Sequence, residues 1–499
     1  MRLLVTRAMT RTRALVLAIG LVLTASSVAL ANVALTQISS DPYTNTTSFH
    51  QTEVEPDTFA SGSTIVATFQ VGRFQNGGAS NIGWSTSTNS GSTWTPGFLP
   101  GLTVFSTPAG IYDRATDPAA AYDAKHATWL INSLGLRQSK SGAVKGLAVV
   151  VNRSTDGGAT WGNAVTVKTA SGGSDFDKNW MVCDNTASSP FYGNCYVQWD
   201  DFGHGNQLHM SRSSDGGLTW AEGTIPRNSI VIGGQPLVQP NGTVVVPIDT
   251  GTESAIESFV STNGGASYTG PFTITPIQFH PQAGNLRSDP LPSAEIDAAG
   301  KIYVVWSDCR FRAGCSADDI VLSTSTNGTT WTAPVRIPID ATTSGVDHFL
   351  PGLGVDVTSS GGTAKLALSY HYYPVSSCTA ATCQLDIGYI SSPDGGASWT
   401  APTQLAGPLT LSWLPNTSQG PMVGDYFSTS FSGGTAHPVF MNATAGTCTL
   451  GNITSCNVFA VSPTTGLAAV ANGTATHQAG LDKAVAHSNH VLSTPATIR

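Results

Sequence analysis

Residues 154–161 read "STDGGATW" and residues 213–220 read "SSDGGLTW", so one eight-residue pattern occurs twice. The shared form Ser-x-Asp/Asn-x-Gly-x-x-Trp/Tyr recurs in "STNSGSTW", "STNGGASY" and "SPDGGASW", which begin at positions 87, 261 and 392. A sixth copy, "STNGTTW" at 325–331, is one residue shorter. Repeats at intervals of tens of residues indicate a body assembled from similar units, so they decide the fold.

Each copy lies between two short apolar or alternating segments, such as "GLAVVVNR" before Ser154 and "AVTVKT" after Trp161. A strand, a Gly-rich turn and a second strand form a β-hairpin. Within the turn, the Asp or Asn side chain can accept backbone N–H bonds, Gly can adopt a positive φ, and Trp can cover the apolar side. We therefore interpret the octet first as a turn motif.

The segments before each octet predict two further strands per unit, as in "QPLVQPNGTVVVPI" and "DPLPSAEIDAAGKIYVVWS". Four antiparallel strands per unit are typical of a β-propeller blade. Strand-like segments continue after Trp399 without an octet, and "NVALTQIS" at 32–39 precedes the first unit. We expect an all-β propeller of seven blades over residues 32–465, with the N-terminal strand completing the last blade and removing free edges. Six blades with a small C-terminal piece are the alternative, and residues 466–499 form a tail without an assigned structure.

Composition limits the function classes. Charged residues make up 11% of the 499-residue chain, against about 25% in globular proteins generally. The formal net charge is −8, and no basic run follows residue 13. Binding to nucleic acid needs a concentrated Lys/Arg surface, so nucleic acid is not an expected partner.

The first 31 residues have the pattern of a secretory signal peptide. Four arginines precede the apolar run "ALVLAIGLVL", and "ALA" at 29–31 provides small residues before a cleavage site at Asn32. The apolar run is shorter than the ~20 residues that span a bilayer. We expect a secreted, soluble and monomeric mature protein without a membrane span, located outside the cell or in the periplasm.

The eight cysteines agree with an oxidising compartment. They fall into four close pairs along the chain, which predicts four disulfides that staple short loops: Cys183 with Cys195, Cys309 with Cys315, Cys378 with Cys383, and Cys448 with Cys456. Other connectivities are open to eight cysteines. A zinc site is disfavoured because there is no CxxC pair or His at ligand spacing.

The octet resembles the Asp-box, or BNR repeat, of the sialidase-like β-propeller superfamily, and the resemblance covers about residues 32–465. It implies a propeller with the Asp-boxes on the face opposite the active site. The superfamily includes sialidases, other glycosidases and non-enzymatic binders, so the resemblance implies either a glycoside hydrolase such as an exo-α-sialidase or a non-catalytic propeller that binds glycan or protein.

The loops opposite the boxes concentrate charge in a chain that has little of it, as a ligand site would. By the resemblance, carboxylates and a Tyr supply proton transfer and a nucleophile, while arginines hold an acidic sugar. The catalytic candidates are Asp117, Asp177, Asp308 and Tyr372, and the substrate-binding candidates are Arg114, Arg287 and Arg310. The structural alternative is that these groups pair with one another in turns and stapled loops.

Three further expectations concern the aromatic side chains, the substrate and the cofactors. The aromatic side chains of Trp199, Trp306, Tyr372 and Tyr373 either stack on sugars or pack at strand ends. The Arg-Ile-Pro motif of sialidases occurs only at 336–338, after the fifth-unit box, which argues against sialic acid as the substrate. No cofactor is required for glycoside hydrolysis, although clustered Asp side chains are compatible with a structural calcium ion.

Overall fold

The computed structural model describes residues 33–451 and 456–469. The proposed signal peptide and most of the proposed C-terminal tail lie outside these ranges. The described chain is built from antiparallel β-sheets, with five 3₁₀ turns at Phe202–His204, Ala283–Asn285, Ala313–Cys315, Gly361–Thr363 and Leu411–Trp413. The expected all-β class is therefore confirmed, and the sheets are consistent with a propeller.

Within the described ranges the strands group into seven units of four principal strands, numbered here in chain order. Unit 1 contains β2 (Glu53–Ser61), β3 (Thr64–Arg73), β4 (Ala79–Ser87) and β5 (Thr95–Phe98). Unit 2 contains β6 (Arg114–Asp123), β7 (Thr128–Gln138), β8 (Val144–Ser154) and β9 (Val165–Thr169). Unit 3 contains β10 (Phe176–Cys183), β11 (Cys195–Asp201), β12 (Gln207–Ser213) and β13 (Ala221–Glu222). A single pairing of Ala79 with Ala115 joins the first two units.

Unit 4 contains β14 (Val231–Gly234), the short β15 (Leu237–Val238), β16 (Val244–Thr250), β17 (Ala255–Ser261) and β18 (Thr269–Pro276). Unit 5 contains β19 (Ser293–Ile296), β20 (Ile302–Asp308), β21 (Asp319–Ser325) and β22 (Val335–Arg336). Unit 6 contains β23 (Asp347–Val355), β24 (Leu366–Tyr373), β25 (Gln384–Ser392) and β26 (Thr403–Thr410). A two-stranded hairpin of β27 (Asn416–Thr417) and β28 (Gly420–Pro421) follows.

Unit 7 combines the two ends of the described chain. Its strands are β29 (Ser428–Ser432), β30 (Thr435–Ala443), β31 (Val458–Pro463) and the N-terminal β1 (Leu35–Gln37), with β32 (Leu467–Ala468) also paired to β30. Strand β1 runs antiparallel to β31, with Thr36 opposite Ser462. The N-terminal strand therefore fills the outer position of the last sheet.

All six octets lie between the third and fourth strands of units 1–6, as the repeat predicts. In the second copy, Ser154 Oγ accepts the N–H of Gly158 at 2.9 Å and donates to Asp156 Oδ1 at 2.7 Å. The same Asp156 oxygen accepts the N–H of Thr160 at 3.0 Å. The octet is thus a self-contained turn in which one carboxylate satisfies several backbone donors.

Neighbouring units are joined by hydrogen bonds that involve their first strands. Around the seven junctions, the bonds run from Ser428 to Asp57, from Ala120 to Asp57, from Asn179 to the Asp117 carbonyl, from Gln198 to Gly234, from Ala294 to Gln235, from Leu353 to Ser293 and from Thr429 to Gly352. Apolar side chains fill the space between sheets, as Tyr303 and Leu322 do against Leu353 and Leu366. These contacts bring the first strands of distant units into one central region.

Several first strands contain an extra residue with a left-handed backbone. Glu55, Asp117 and Lys178 have φ values of 53°, 51° and 49°. The strand register shifts around each of them, which is the signature of a β-bulge. A bulge re-aims side chains, and non-glycine residues in this region of φ carry a local cost of about 1–3 kcal/mol that is concentrated at functional sites. Asp117, which precedes Pro118, lies within β6 rather than in a turn before the strand.

Candidate functional site

Two carboxylates from neighbouring units meet at one backbone donor. The N–H of Lys178 lies 3.0 Å from Asp117 Oδ2 and 3.0 Å from Asp177 Oδ1. Asp117 belongs to unit 2, whereas Asp177 and Lys178 belong to the bulge of unit 3. Since both oxygens contact the same nitrogen atom, they cannot be farther apart than the sum of these two distances. The bulge therefore fixes the spacing of the two acids.

Glu55 is connected to this pair by a chain of side-chain hydrogen bonds. Gln70 Nε2 donates to Glu55 Oε2 and to Thr116 Oγ1, the latter at 2.9 Å. Thr116 Oγ1 donates in turn to Asp117 Oδ1 at 2.7 Å. Both oxygens of Asp117 are consequently occupied, and its orientation is set from two units.

Asp425 is the anchor for two cations in the same region. Lys178 Nζ and Arg287 Nη2 both donate to Asp425 Oδ2, and the carboxylate is 2% exposed. Burial acts to raise the pKa of Asp425, but the charges of Arg287 and Lys178 outweigh it and lower the pKa. This triad keeps the Lys178 and Arg287 charges in place beside the other acids.

Arg73 provides a second guanidinium from unit 1. It is 3% exposed, and its Nη1 donates to the carbonyl of Gly78 at 2.8 Å. Its Nε has no hydrogen-bond partner among the described residues, and the same holds for Nε of Arg287. Burial and then the charge of Arg287 lower the pKa of Arg73. A buried guanidinium with an unused donor favours an incoming anion over further desolvation.

These groups border one narrow cleft, whose volume is about 60 Å³. Its lining includes Glu55, Arg73, Asp117, Asp175, Asp177 and Arg287. Asn76 and Phe202 contribute an amide and an aromatic ring to the wall. Charged groups converge on it from units 1, 2 and 3 and from the segment that leads to β19.

Two acids of the cleft, Glu55 and Asp177, hold protons more tightly than free carboxyl groups because their pKa values are raised. Burial, followed by the charges of Asp117 and Asp425, raises the pKa of Glu55 to about 8. Burial, followed by the charge of Asp117, raises the pKa of Asp177 to about 7. Asp200, which pairs with Asp177 across β10 and β11, has its pKa raised by burial and then by Asp177. Groups with such pKa values can donate a proton near neutral pH.

The structure brings together three of the seven residues that the sequence suggested for the site. Asp117, Asp177 and Arg287 line the cleft. Arg114 lies behind its wall, where it donates to Asn76 Oδ1 at 2.7 Å and to the carbonyl of Gly77 at 2.8 Å. Arg114 therefore holds the loop that forms part of the cleft.

The other three candidates lie elsewhere. Asp308 and Arg310 form an ion pair with each other at 2.6 Å, and the Arg310 guanidinium also bonds Thr275. Tyr372 is half-buried and packs against His348 and Tyr370 in unit 6. Two of these three residues thus follow the alternative in which loop charges satisfy one another.

The proposed sugar-stacking aromatics are mostly interior. Trp199, Trp306 and Tyr373 are each 0% exposed, so the stacking interpretation is wrong for these three and strand-end packing is right. Trp306 directs its Nε1 to Asp308 Oδ2 at 3.1 Å. The sequence places these aromatic residues at strand ends, but it does not show whether their side chains point inward or outward.

Lys178 is the residue in this site that the sequence reasoning did not single out. It sits in "SDFDKNW" at 174–180, where a lone lysine between an acid and an asparagine has no motif. The available signal was weak. An acid followed by Pro marks the corresponding position in three other units, at Glu55-Pro56, Asp117-Pro118 and Asp289-Pro290, but Lys178 is not followed by Pro. Its role arises from the bulge, which no local pattern predicts.

One group of side chains in the described residues has the spacing of metal ligands, namely Asp319, Asp340 and His348. Arg312 already pairs with Asp319 at 2.6 Å and with Asp340 at 2.8 Å. Arg336, the first residue of the "RIP" sequence, pairs with Asp319 at 2.9 Å. Two guanidinium groups neutralise these acids, so the residues do not fit a calcium ion, and Arg336 serves this ion-pair network.

The four predicted disulfides are confirmed: Cys183–Cys195, Cys309–Cys315, Cys378–Cys383 and Cys448–Cys456. The first ties β10 to β11 at the end remote from Asp177. The second closes the loop that carries Arg310 and Arg312. Among the described residues, no helix has the length and apolar character needed to cross a membrane.

Solved structures with a similar fold include several glycan-active proteins. The Hadza microbial sialidase Hz136 has a TM-score of 0.45 at 16% identity, covering 64% of each chain, so this chain spans about two thirds of that protein. The NanB sialidase of Streptococcus pneumoniae has a TM-score of 0.42 at 12% identity, covering 86% of this chain and 70% of that one. A family PL25 ulvan lyase has a TM-score of 0.44 at 11% identity, covering 86% and 95%.

These three likenesses have TM-scores of 0.42–0.45 and identities of 11–16%. No protein-family model matches the sequence. None of the curated proteins matches it either. The likeness concerns the fold, so the chemistry of this site is argued from its own residues.

Proposed function

We propose that this protein is an exported glycoside hydrolase that acts on an acidic glycan in the cleft between units 1, 2 and 3. The observation that carries the proposal is the pair of carboxylates, Asp117 and Asp177, held on one backbone N–H beside the buried Arg73. Hydrolysis of an anionic sugar requires two acids and a cation in one cleft, and here the cation is a guanidinium whose Nε donor is unused.

In this proposal Asp177 is the general acid. Its pKa of about 7 leaves it largely protonated at mildly acidic pH, and its side chain is partly exposed to the cleft. Asp117 is the nucleophile, since its two oxygens are oriented by Thr116 and Lys178. The Asp117 and Asp177 oxygens that share the Lys178 N–H lie closer together than the range of about 6.5–9.5 Å for inverting glycosidases. The upper limit on their distance admits the value of about 5–5.5 Å for retaining ones.

The atoms balance with water as the second substrate. Asp177 gives its proton to the leaving glycosidic oxygen as that C–O bond breaks and Asp117 bonds to the anomeric carbon. Asp177 then takes a proton from water, whose oxygen displaces Asp117 and becomes the new hydroxyl. Arg73 and Arg287 bind the carboxylate of the sugar and keep the anomeric carbon over Asp117.

The proposal extends to the architecture. We propose that the seven units close into a seven-bladed propeller, with β1 completing the last blade. It is supported by the pairing of β1 with β31 and by the hydrogen bonds at all seven junctions described above. Closure explains how residues of units 1, 2 and 3 and of the segment before unit 5 reach one cleft. Export is supported by the four disulfides.

A substrate screen tests the function. The protein is assayed against sialosides, uronic-acid polymers and neutral polysaccharides, together with Asp177→Asn, Asp117→Asn and Arg73→Met. We expect turnover on an acidic substrate, lost in both Asp variants, and a KM raised most by Arg73→Met. Asp156→Asn, in an Asp-box away from the cleft, is the matched control and should behave as the wild type.

Each other outcome has a defined meaning. Binding of an acidic glycan without turnover would replace hydrolysis by the non-catalytic alternative. Turnover that survives both Asp variants would move the reaction to another site. A preference for neutral polysaccharides would contradict the role given to Arg73.

A further inference from the structure

A second cleft adjoins the first, and Arg287 lines both of them. The second cleft has a volume of about 380 Å³. One wall is the segment that leads to β19, represented by Gln282, Asn285 and Ser288. The other wall is the tip of the β27–β28 hairpin, with Ser418 and Gln419. The two clefts therefore meet at one cation.

The second cleft has a lining suited to neutral hydroxyl groups. Its amide and hydroxyl side chains can both donate and accept hydrogen bonds, and Phe279 adds an aromatic wall. Gln419 Oε1 has no hydrogen-bond partner among the described residues. The lining also includes Asp289, whose carboxyl group disfavours a second anionic sugar, so this surface suits a neutral sugar ring.

The hairpin between the clefts is anchored from two sides. The N–H of Ser418 donates to the carbonyl of Gln75 at 2.8 Å, next to the loop that borders the first cleft. The N–H of Arg287 donates to the carbonyl of Pro421 at 3.0 Å. A Cβ on Gly420 would lie 2.0 Å from the carbonyl oxygen of Asn285, so the hairpin is seated closely against the opposite wall. The second cleft is therefore a formed surface whose walls hold each other.

We infer that the two clefts bind consecutive sugars of one chain, so that the substrate is an internal segment of an acidic polysaccharide. This inference rests on the proposed function. The acidic sugar lies over Asp117 with its carboxylate on Arg73 and Arg287, and the neighbouring sugar lies against Gln419 and Phe279. A hydrolase of terminal sugars also contacts the sugar that leaves, so the second cleft holds the neighbour on the other side of the cleaved bond, where only an internal segment continues.

The length dependence of binding and cleavage tests this inference. The probes are uronic-acid monosaccharide glycosides and oligosaccharides of two to eight sugars from hyaluronan, in which charged and neutral sugars alternate. Oligomers of polygalacturonate, alginate and polysialic acid, in which every sugar is charged, are the comparison, and all probes are labelled at the reducing end. For at least one series we expect affinity to rise about tenfold between the shortest and longest members as contacts in the second cleft are added. Internal fragments should appear before single sugars.

Variants of Gln419 isolate the second cleft. Loss of one hydrogen bond in Gln419→Ala should weaken binding of the oligomers by about 3- to 10-fold and leave binding of the monosaccharide glycoside unchanged. Gln419→Glu should weaken the long oligomers further by repelling their carboxylates. Gln384→Ala, exposed on β25, is the matched control, and the thermal midpoint of each variant shows that it is folded.

The outcomes separate the two proposals. Binding that is independent of length, release of single terminal sugars and wild-type behaviour of both Gln419 variants would overturn this inference and leave the proposed function standing. Absence of binding and turnover with every acidic probe, including monosaccharide glycosides, would overturn both.

Discussion

Asp117 and Asp177 share one hydrogen-bond donor, the backbone N–H of Lys178, although they belong to different units of the fold. The donor is available because Lys178 has a φ of 49° in a bulge, which turns its N–H out of the strand ladder. A backbone donor cannot rotate away as a side chain can. The spacing of the two acids is therefore a property of the backbone.

The first prediction concerns proton donation. Asp177, with a pKa of about 7, donates only while protonated, so kcat should fall as pH rises above about 7. Asp177→Asn should lower kcat by about 10²- to 10⁴-fold on sugar leaving groups, because a positioned acid contributes that much. The loss should be far smaller on nitrophenyl glycosides, whose leaving group needs no proton. Equal losses on both substrate types would contradict the role of Asp177.

Stability should depend on pH through Glu55. Its pKa is about 8 in the folded protein against 4.5 for a free Glu, so the folded state binds the proton more tightly. The stability it contributes is fully present below about pH 4.5 and is lost as pH rises through 8. Thermal midpoints from pH 5 to 9 should therefore fall less steeply in Glu55→Gln than in the wild type. The exposed Glu222→Gln serves as control, and parallel curves for all three proteins would argue against this assignment.

The Asp-box carboxylate should act on stability alone. Asp156→Ala removes the acceptor for the N–H groups of Ala159 and Thr160 and should cost about 0.5–2 kcal/mol of unfolding free energy, the scale of a lost cap. Asp156→Asn should cost less, since Asn89 accepts the N–H of Thr93 in the same way. Chemical denaturation measures both. A loss of ligand affinity in fully folded Asp156→Ala would place a site on the box face.

The hydrogen bonds between units 7 and 1 should contribute to the stability of the fold. Ser428 Oγ accepts the N–H of Thr58 at 2.7 Å and donates to Asp57 Oδ1 at 2.7 Å. Ser428→Ala leaves both partners buried without it and should lower the unfolding free energy by about 1–3 kcal/mol. Ser430→Ala, whose hydroxyl has a weaker 3.3 Å contact with Thr58 Oγ1, should cost less. Equal effects in denaturant melts would count against closure at this junction.

The exported chain should begin at Asn32 and contain no free thiol. The prediction follows from the arginine-rich leader sequence and from the four disulfides. Intact mass spectrometry after alkylation without reduction checks both statements in one experiment. Alkylation at several cysteines, or a mass that retains the first 31 residues, would contradict them.

Short-range features were accessible from the sequence because their chemistry closes within a few residues. The box turn is complete between Ser154 and Thr160, and the disulfides join cysteines 5 to 12 positions apart. Strand alternation and Gly-rich turns therefore sufficed to predict hairpins, units and staples. The same reasoning located Asp117, Asp177 and Arg287 on the loop face, because acidic and basic residues are rare in this chain.

Which of the loop charges meet was decided by the tertiary structure. Asp308 and Arg310 looked equivalent to Asp177 and Arg287 in sequence, but the first pair neutralise each other while the second pair face one cleft. Lys178 and Asp425 are joined by an ion pair across 247 positions, and no local pattern encodes such a distance. The reason is physical: hydrogen bonds within a turn depend on neighbouring backbone angles, whereas contacts between units depend on how whole sheets pack and where a bulge turns one residue.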